Sequence, residues 1–271
     1  MSKISDWDDA YANAPYIPQA ERYRPAWAEQ AAQFRAEHRH DADLSYGNGE
    51  REKLDLFHPA TEAQGLLVFV HGGYWLAFDK SGWSHLAAGA LQRGWAVALP
   101  SYPLAPEARI ADMTACIGRA INFAASRVAG PLCLAGHSAG GHLVSRMVCA
   151  DSPLDQAARQ RLQQVVSISG LHDLRPLMNT AMNEQWRMDR AEARAESAAL
   201  HDPLPGIRMT CWVGGAERPE FLRQNDLLAN IWTGLGADIY AHHEPGRHHF
   251  DVIEDLLDPD SGLLDTLLGS S

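Results

Sequence analysis

Short, mostly apolar runs recur along the chain at Leu66–Val70, Trp95–Leu99, Leu132–Ala135, Val165–Ser169 and Met209–Val213. A run without a polar face predicts a strand covered on both sides of a sheet. Between the runs lie longer stretches with helical spacing. Ser84–Gln92 is one. Arg109–Ser126 is another, with Met113, Cys116, Ile117, Ala120 and Phe123 on one face. Helices are also predicted over Ala139–Ala150, Phe221–Leu235 and around Ser261–Leu268, and a last strand over Asp238–His242. Lys53–Phe57 alternates like a strand with one wet face. With Leu44–Tyr46, across the Gly47-Asn48-Gly49 turn, it predicts an antiparallel hairpin at the sheet edge. Strands alternating with helices imply an α/β fold: a mostly parallel central sheet covered by helices on both faces.

Two segments stand apart. Residues 1–40 are polar with interspersed aromatics, and Trp27, Ala31, Phe34 and His38 fall at helical spacing. This predicts an N-terminal helical arm whose aromatics anchor packing or line a pocket. Residues 174–204 carry helix formers without an apolar stripe, which predicts a small cap insertion. With no repeat and no Gly/Ser-rich linker, one domain spanning 1–271 is the simplest organisation.

Composition narrows the partners. A net charge of −11 lacks the clustered Lys and Arg that phosphate contacts need, so no nucleic-acid partner is expected. No apolar run is long enough to cross a bilayer. The stretch Met1–Tyr16 has neither a basic start nor an apolar core, so no signal peptide is expected. Cys116, Cys133, Cys149 and Cys211 sit in or beside apolar segments without close pairing, which suits free thiols in the cytoplasm. The His-rich end, His242, His243, His248 and His249, lacks a His-x-x-x-His with an intervening Glu, so neither a metal nor a cofactor is expected. The oligomeric state is left open, a homodimer included.

The candidate chemistry starts at Leu132–Leu143, where an apolar run enters Gly136-His137-Ser138-Ala139-Gly140 and a helical pattern leaves it. A Gly-x-Ser-x-Gly at a strand–helix turn is the nucleophile elbow of an α/β-hydrolase fold. Serine is a weak nucleophile and needs a base within reach, and the base needs a carboxylate to orient it. Carboxylates and histidines follow later strands. Glu217 comes first after Met209–Val213, with Asp173 and Glu220 as further choices, and His248 and His249 follow Asp238–His242. The order nucleophile, acid, histidine is the one this fold uses, and strand ends share one side of a parallel sheet. His71-Gly72-Gly73 after a buried strand, with Ala139 at the helix start, offers backbone N–H groups for an oxyanion at Gly72, Gly73 and Ala139. Tyr74, Trp75 and Tyr102 either stack on an aromatic substrate or pack the wall.

Together, His71-Gly72-Gly73-Tyr74-Trp75, Gly136–Leu143 and Ser169–Leu177 resemble the kynurenine formamidase (arylformamidase) family, related to hormone-sensitive-lipase-like esterases. Ser101–Pro106 is similar to a segment of that wider group, and Pro219–Gln224 and His249–Ile253 continue the likeness. The resemblance implies Ser138 as nucleophile and His249 as base. It also implies a metal-independent hydrolase that converts N-formyl-L-kynurenine to L-kynurenine and formate through a formyl-serine. At the family's usual aspartate this chain has Glu217. A carboxylesterase for short acyl or aryl esters, and a non-catalytic hydrolase-like binding module, are the alternative readings.

Overall fold

A computed structural model describes residues 4–270; Met1 to Lys3 of the expected arm, and Ser271, lie outside the described residues. In chain order the elements are α1 Trp7–Tyr11, α2 Tyr23–Glu37, β1 His40–Ser45, β2 Lys53–Phe57, β3 Leu66–Val70, α3 Ala88–Gln92, β4 Ala96–Pro100, α4 Ile110–Ala125, β5 Leu132–His137, α5 Ala139–Arg146, α6 Gln156–Arg161, β6 Leu162–Ile168, α7 Asn183–Trp186, α8 Arg190–Ala195, β7 Arg208–Gly214, α9 Pro219–Trp232, β8 Asp238–Glu244 and α10 Gly262–Leu268. The strands form one eight-stranded sheet in the order β1-β2-β4-β3-β5-β6-β7-β8. β1 and β2 are the antiparallel edge. Every pairing from β4 to β8 is parallel. This is the α/β-hydrolase architecture.

Period-two alternation divides the apolar runs between two cores. Leu66, Val68 and Val70 of β3 join Leu132 and Leu134 of β5 on one face, with Met113, Ile117 and Ile121 of α4 and Phe221 of α9. Leu67 and Phe69 join Cys133 and Ala135 on the other, with Trp27 and Phe34 of α2 and Leu263, Leu264 and Leu267 of α10. The central strands are therefore buried on both faces, while β8, at the far edge, exposes Tyr240.

Several boundaries differ from the sequence expectation, those of β1, β6, α3, α5 and α9 among them. α5 stops at Arg146, short of Ala150, because the Ala150 N–H turns away to the Asp202 carbonyl and Cys149 bridges Pro203. α6 is too short to show a periodicity; it is started by Asp155, whose side chain accepts from Ala158 N. α1 likewise begins at a capping side chain, Asp6, which accepts from Asp9 N at 3.0 Å.

Candidate active site

Ser138 sits between β5 and α5 at φ 56° and ψ −115°. A non-glycine residue reaches this region only when its surroundings hold it there. Its N–H donates to the Ile168 carbonyl at 2.8 Å, and its own carbonyl accepts from His142 N. The flanking glycines are steric requirements. A Cβ on Gly136 would lie 2.2 Å from the Gly140 carbonyl oxygen, and one on Gly140 would lie 2.0 Å from that of Val70. The turn closes only because both positions lack a side chain.

Glu217 follows β7 in a tight turn, with its N–H on the Gly214 carbonyl at 3.1 Å. Its Oε1 accepts from Gly214 N at 3.0 Å and from the Ser169 hydroxyl. Its Oε2 lies 2.6 Å from His249 Nδ1, and neither side chain is more than 5% exposed. A carboxylate can only accept, so Nδ1–H donates, and in the neutral imidazole this leaves the lone pair on Nε2. Ser138 Oγ and His249 Nε2 have no hydrogen-bond partner among the described residues. Both residues line one cavity of about 500 Å³. Nucleophile–base contacts commonly tighten only with substrate present.

Two neighbours hold the imidazole. The Phe221 ring centroid lies 4.4 Å from that of His249. His137 Nε2 donates to the His249 carbonyl at 2.9 Å, and burial holds the His137 imidazole well below its usual titration range. His137 is thus a neutral donor that fixes the His249 backbone. His71 is also neutral: burial pushes it down to about 4, and its Nδ1–H donates to the Gly72 carbonyl at 2.8 Å.

The N–H groups of Gly72, Gly73 and Ala139 have no acceptor among the described residues. Gly72 and Gly73 line the cavity, and Ala139 N belongs to the first turn of α5, where helix N–H groups are unpaired. Gly73 has φ +110°, and a Cβ there would lie 2.5 Å from the Ala77 carbonyl oxygen.

The other candidate carboxylates are engaged elsewhere. Asp173 makes paired contacts of 2.8 Å with Arg175, whose guanidinium helps hold its carboxyl below the usual range against the opposing effect of burial. Glu220 binds Arg223 at 2.8 Å and accepts from the Tyr11 hydroxyl at 3.1 Å.

The three expected substrate contacts separate. Tyr74 lines the cavity. Trp75 does not: it is fully buried, edge-on to Trp186 at 5.6 Å and to His142 at 5.2 Å. Tyr102 is also fully buried; it stacks on His71 at 4.5 Å and donates to the His71 carbonyl at 2.9 Å. Both lie behind the wall because their rings pack on other buried rings, Trp75 on Trp186 and His142 and Tyr102 on His71, rather than facing the cavity.

Part of the wall comes from the arm. Tyr11, Asn13, Arg24 and Trp27 line the cavity together with Phe78 and Phe250. Tyr74 donates to the Tyr11 carbonyl at 2.5 Å and accepts from Asn13 Nδ2 at 2.9 Å, which ties the arm to the Gly72–Gly73 loop. The aromatic spacing in residues 1–40 was the available signal for this wall, but it does not say which side of the sheet the arm covers.

The chain is similar to several known proteins. The BD-FAE family matches residues 54–204. A kynurenine formamidase of Salmo salar is 29% identical over 83% of this chain and 80% of its own. A solved structure from Silicibacter, provisionally described as a thioesterase, is 50% identical with a TM-score of 0.89, covering 97% of this chain and 98% of its own. Esterase B from Lactobacillus rhamnosis shares the fold, with a TM-score of 0.65 at 18% identity over 86% of this chain and 87% of its own.

Proposed function

We propose, because the chain belongs to the BD-FAE family, that it is a serine hydrolase whose substrate is an aryl formamide, N-formyl-L-kynurenine, cleaved to L-kynurenine and formate. The observation that supports the chemistry best is the buried Glu217–His249 pair, which shares one cavity with Ser138. The kynurenine formamidases among the relatives support the substrate.

His249 Nε2 takes the Ser138 proton as Oγ attacks the formyl carbon. The carbonyl electrons move to oxygen, and the N–H groups of Gly73, Ala139 and Gly72 receive that charge. Glu217 keeps the imidazole in the attacking tautomer and stabilises the imidazolium. As the C–N bond breaks, His249 returns the proton to the departing aryl amine. Water, deprotonated by His249, then attacks the formyl-serine and releases formate, and the proton returns to Ser138. An arylamine leaves more readily than an alkylamine, and formyl is the least hindered acyl group, so this chemistry needs no metal. The four buried free cysteines suit a cytoplasmic location. A homodimer is compatible with the same reading.

A second reading, an esterase for short acyl, aryl or thiol esters, draws on the Silicibacter structure and uses the same residues. Turnover of N-formyl-L-kynurenine, p-nitrophenyl acetate and an acetyl thioester separates the two. The formamide reading expects the highest kcat/KM on N-formyl-L-kynurenine. Ester or thioester turnover without formamide hydrolysis overturns it.

A further inference from the structure

Histidines aside, the side chains that line the cavity carry two formal charges of opposite sign, Asp8 and Arg24, both exposed at its rim. They are not an ion pair with each other, and among the described residues neither has any other salt-bridge partner. The Arg24 guanidinium is instead held over the Phe78 ring, 4.6 Å from its centroid, and Phe78 also lines the cavity. Stacking on a ring face orients a guanidinium while leaving its N–H edge free to bind a carboxylate. Asp8 Oδ1 accepts from the Ala181 N–H at 2.7 Å, beside Met182 of the cavity wall. This ties the arm to the segment that enters α7, and among the described residues Oδ2 has no hydrogen-bond partner. In a chain of net charge −11, an arginine with no salt-bridge partner among the described residues stands at the mouth of a cavity lined by Tyr11, Trp27, Phe78 and Phe250. Among the described residues Arg24 is, histidines aside, the cationic side chain that lines the cavity, so an anionic group entering it is attracted there.

Resting on the formamidase reading, we infer that Arg24 and Asp8 form a clamp for a zwitterionic amino-acid head. Arg24 takes the α-carboxylate and Asp8 the α-ammonium, while the acylated aryl amine reaches inward to Ser138. Separate charges of opposite sign across one mouth fit a substrate that carries both. A neutral ester would use neither. The clamp acts on binding and orientation, not on the bonds that break, so it sets specificity.

The test compares N-formyl-L-kynurenine with formanilide, which has the same scissile group and no amino-acid head, in the wild type, Arg24→Gln, Arg24→Lys and Asp8→Asn. In the wild type the amino-acid substrate should have the larger kcat/KM. In Arg24→Gln the ratio of the two kcat/KM values should fall about 10- to 100-fold, mainly through KM, since a charge-assisted bidentate contact is lost. Arg24→Lys should recover part of that ratio, and Asp8→Asn should lower it by about 3- to 10-fold. An unchanged ratio in Arg24→Gln overturns the clamp. A wild type that hydrolyses formanilide but does not prefer the amino-acid substrate also overturns it. A wild type that cleaves neither formamide while turning over p-nitrophenyl acetate overturns the formamidase reading instead.

Discussion

Glu217 is one methylene longer than the aspartate that the family resemblance leads one to expect, and its surroundings take up that length. Gly214 N and the Ser169 hydroxyl hold one carboxylate oxygen, and His249 Nδ1 holds the other. Ser169 itself adopts φ 52° at the end of β6, with its N–H on the Trp212 carbonyl at 2.6 Å. A shorter aspartate would withdraw from one side or the other. Glu217→Gln keeps the length but can present an N–H to the imidazole, selecting the wrong tautomer. Its kcat/KM should fall by on the order of 10³ to 10⁴, with circular dichroism unchanged. Ser138→Ala should lose about 10³-fold or more and no longer react with a fluorophosphonate probe. Asp173→Asn and Glu220→Gln should each cost less than about tenfold, because neither carboxylate touches His249. The opposite ranking would assign the acid to one of them.

At the scale of elements, the arm is the part whose role reaches furthest beyond its own packing. α2 buries Trp27, Ala31 and Phe34 at helical spacing. The Trp27 ring lies 4.9 Å from Trp83 and 5.5 Å from Phe250, the residue next to His249. Further along the arm, the Tyr11 hydroxyl is shared between Glu220 and Gln224 of α9, and Gln224 Oε1 caps the N–H groups of His172 and Asp173. The arm is therefore bonded to the loops that follow β6 and β7, and through them to the turn that carries Glu217. Trp27→Ala removes a buried aromatic that also lines the cavity. It should cost about 3 kcal/mol in urea denaturation and raise KM several-fold. A stability loss with unchanged KM would mean that the arm packs without shaping the site.

At the scale of the whole molecule, burial sets the acid response. It pushes His71, His85 and His172 down to about 4 and His142 to about 3, so all four are neutral in the folded state near pH 7. The unfolded chain protonates each near the ordinary value of 6.5. Between about pH 6.5 and 4 the unfolded state therefore binds more protons, and stability falls as pH falls. Each histidine contributes a slope of up to about 1.4 kcal/mol per pH unit in that window. Urea denaturation at pH 7.5 and 5.5 should show a loss on the order of 2 to 5 kcal/mol at the lower pH. A flat profile would mean that these histidines take up protons without unfolding.

What the sequence determined by itself is local in origin. Apolar runs, turn glycines and helical spacing act between near neighbours, so the strands, the edge hairpin and the elbow at Ser138 could be read from residues a few positions apart. The order of Ser138, Glu217 and His249 along the chain also named the residues that the parallel sheet brings to one side, since strand ends converge whatever the distance between them in sequence. Only the tertiary structure decided the rest. Tyr11 meets Glu220 across 209 positions, and Trp75 and Tyr102 turn into the core while Phe78 and the arm form the wall. Such placements depend on which face a segment packs against. That choice is made by the summed burial of the whole chain, not by the pattern of any one stretch.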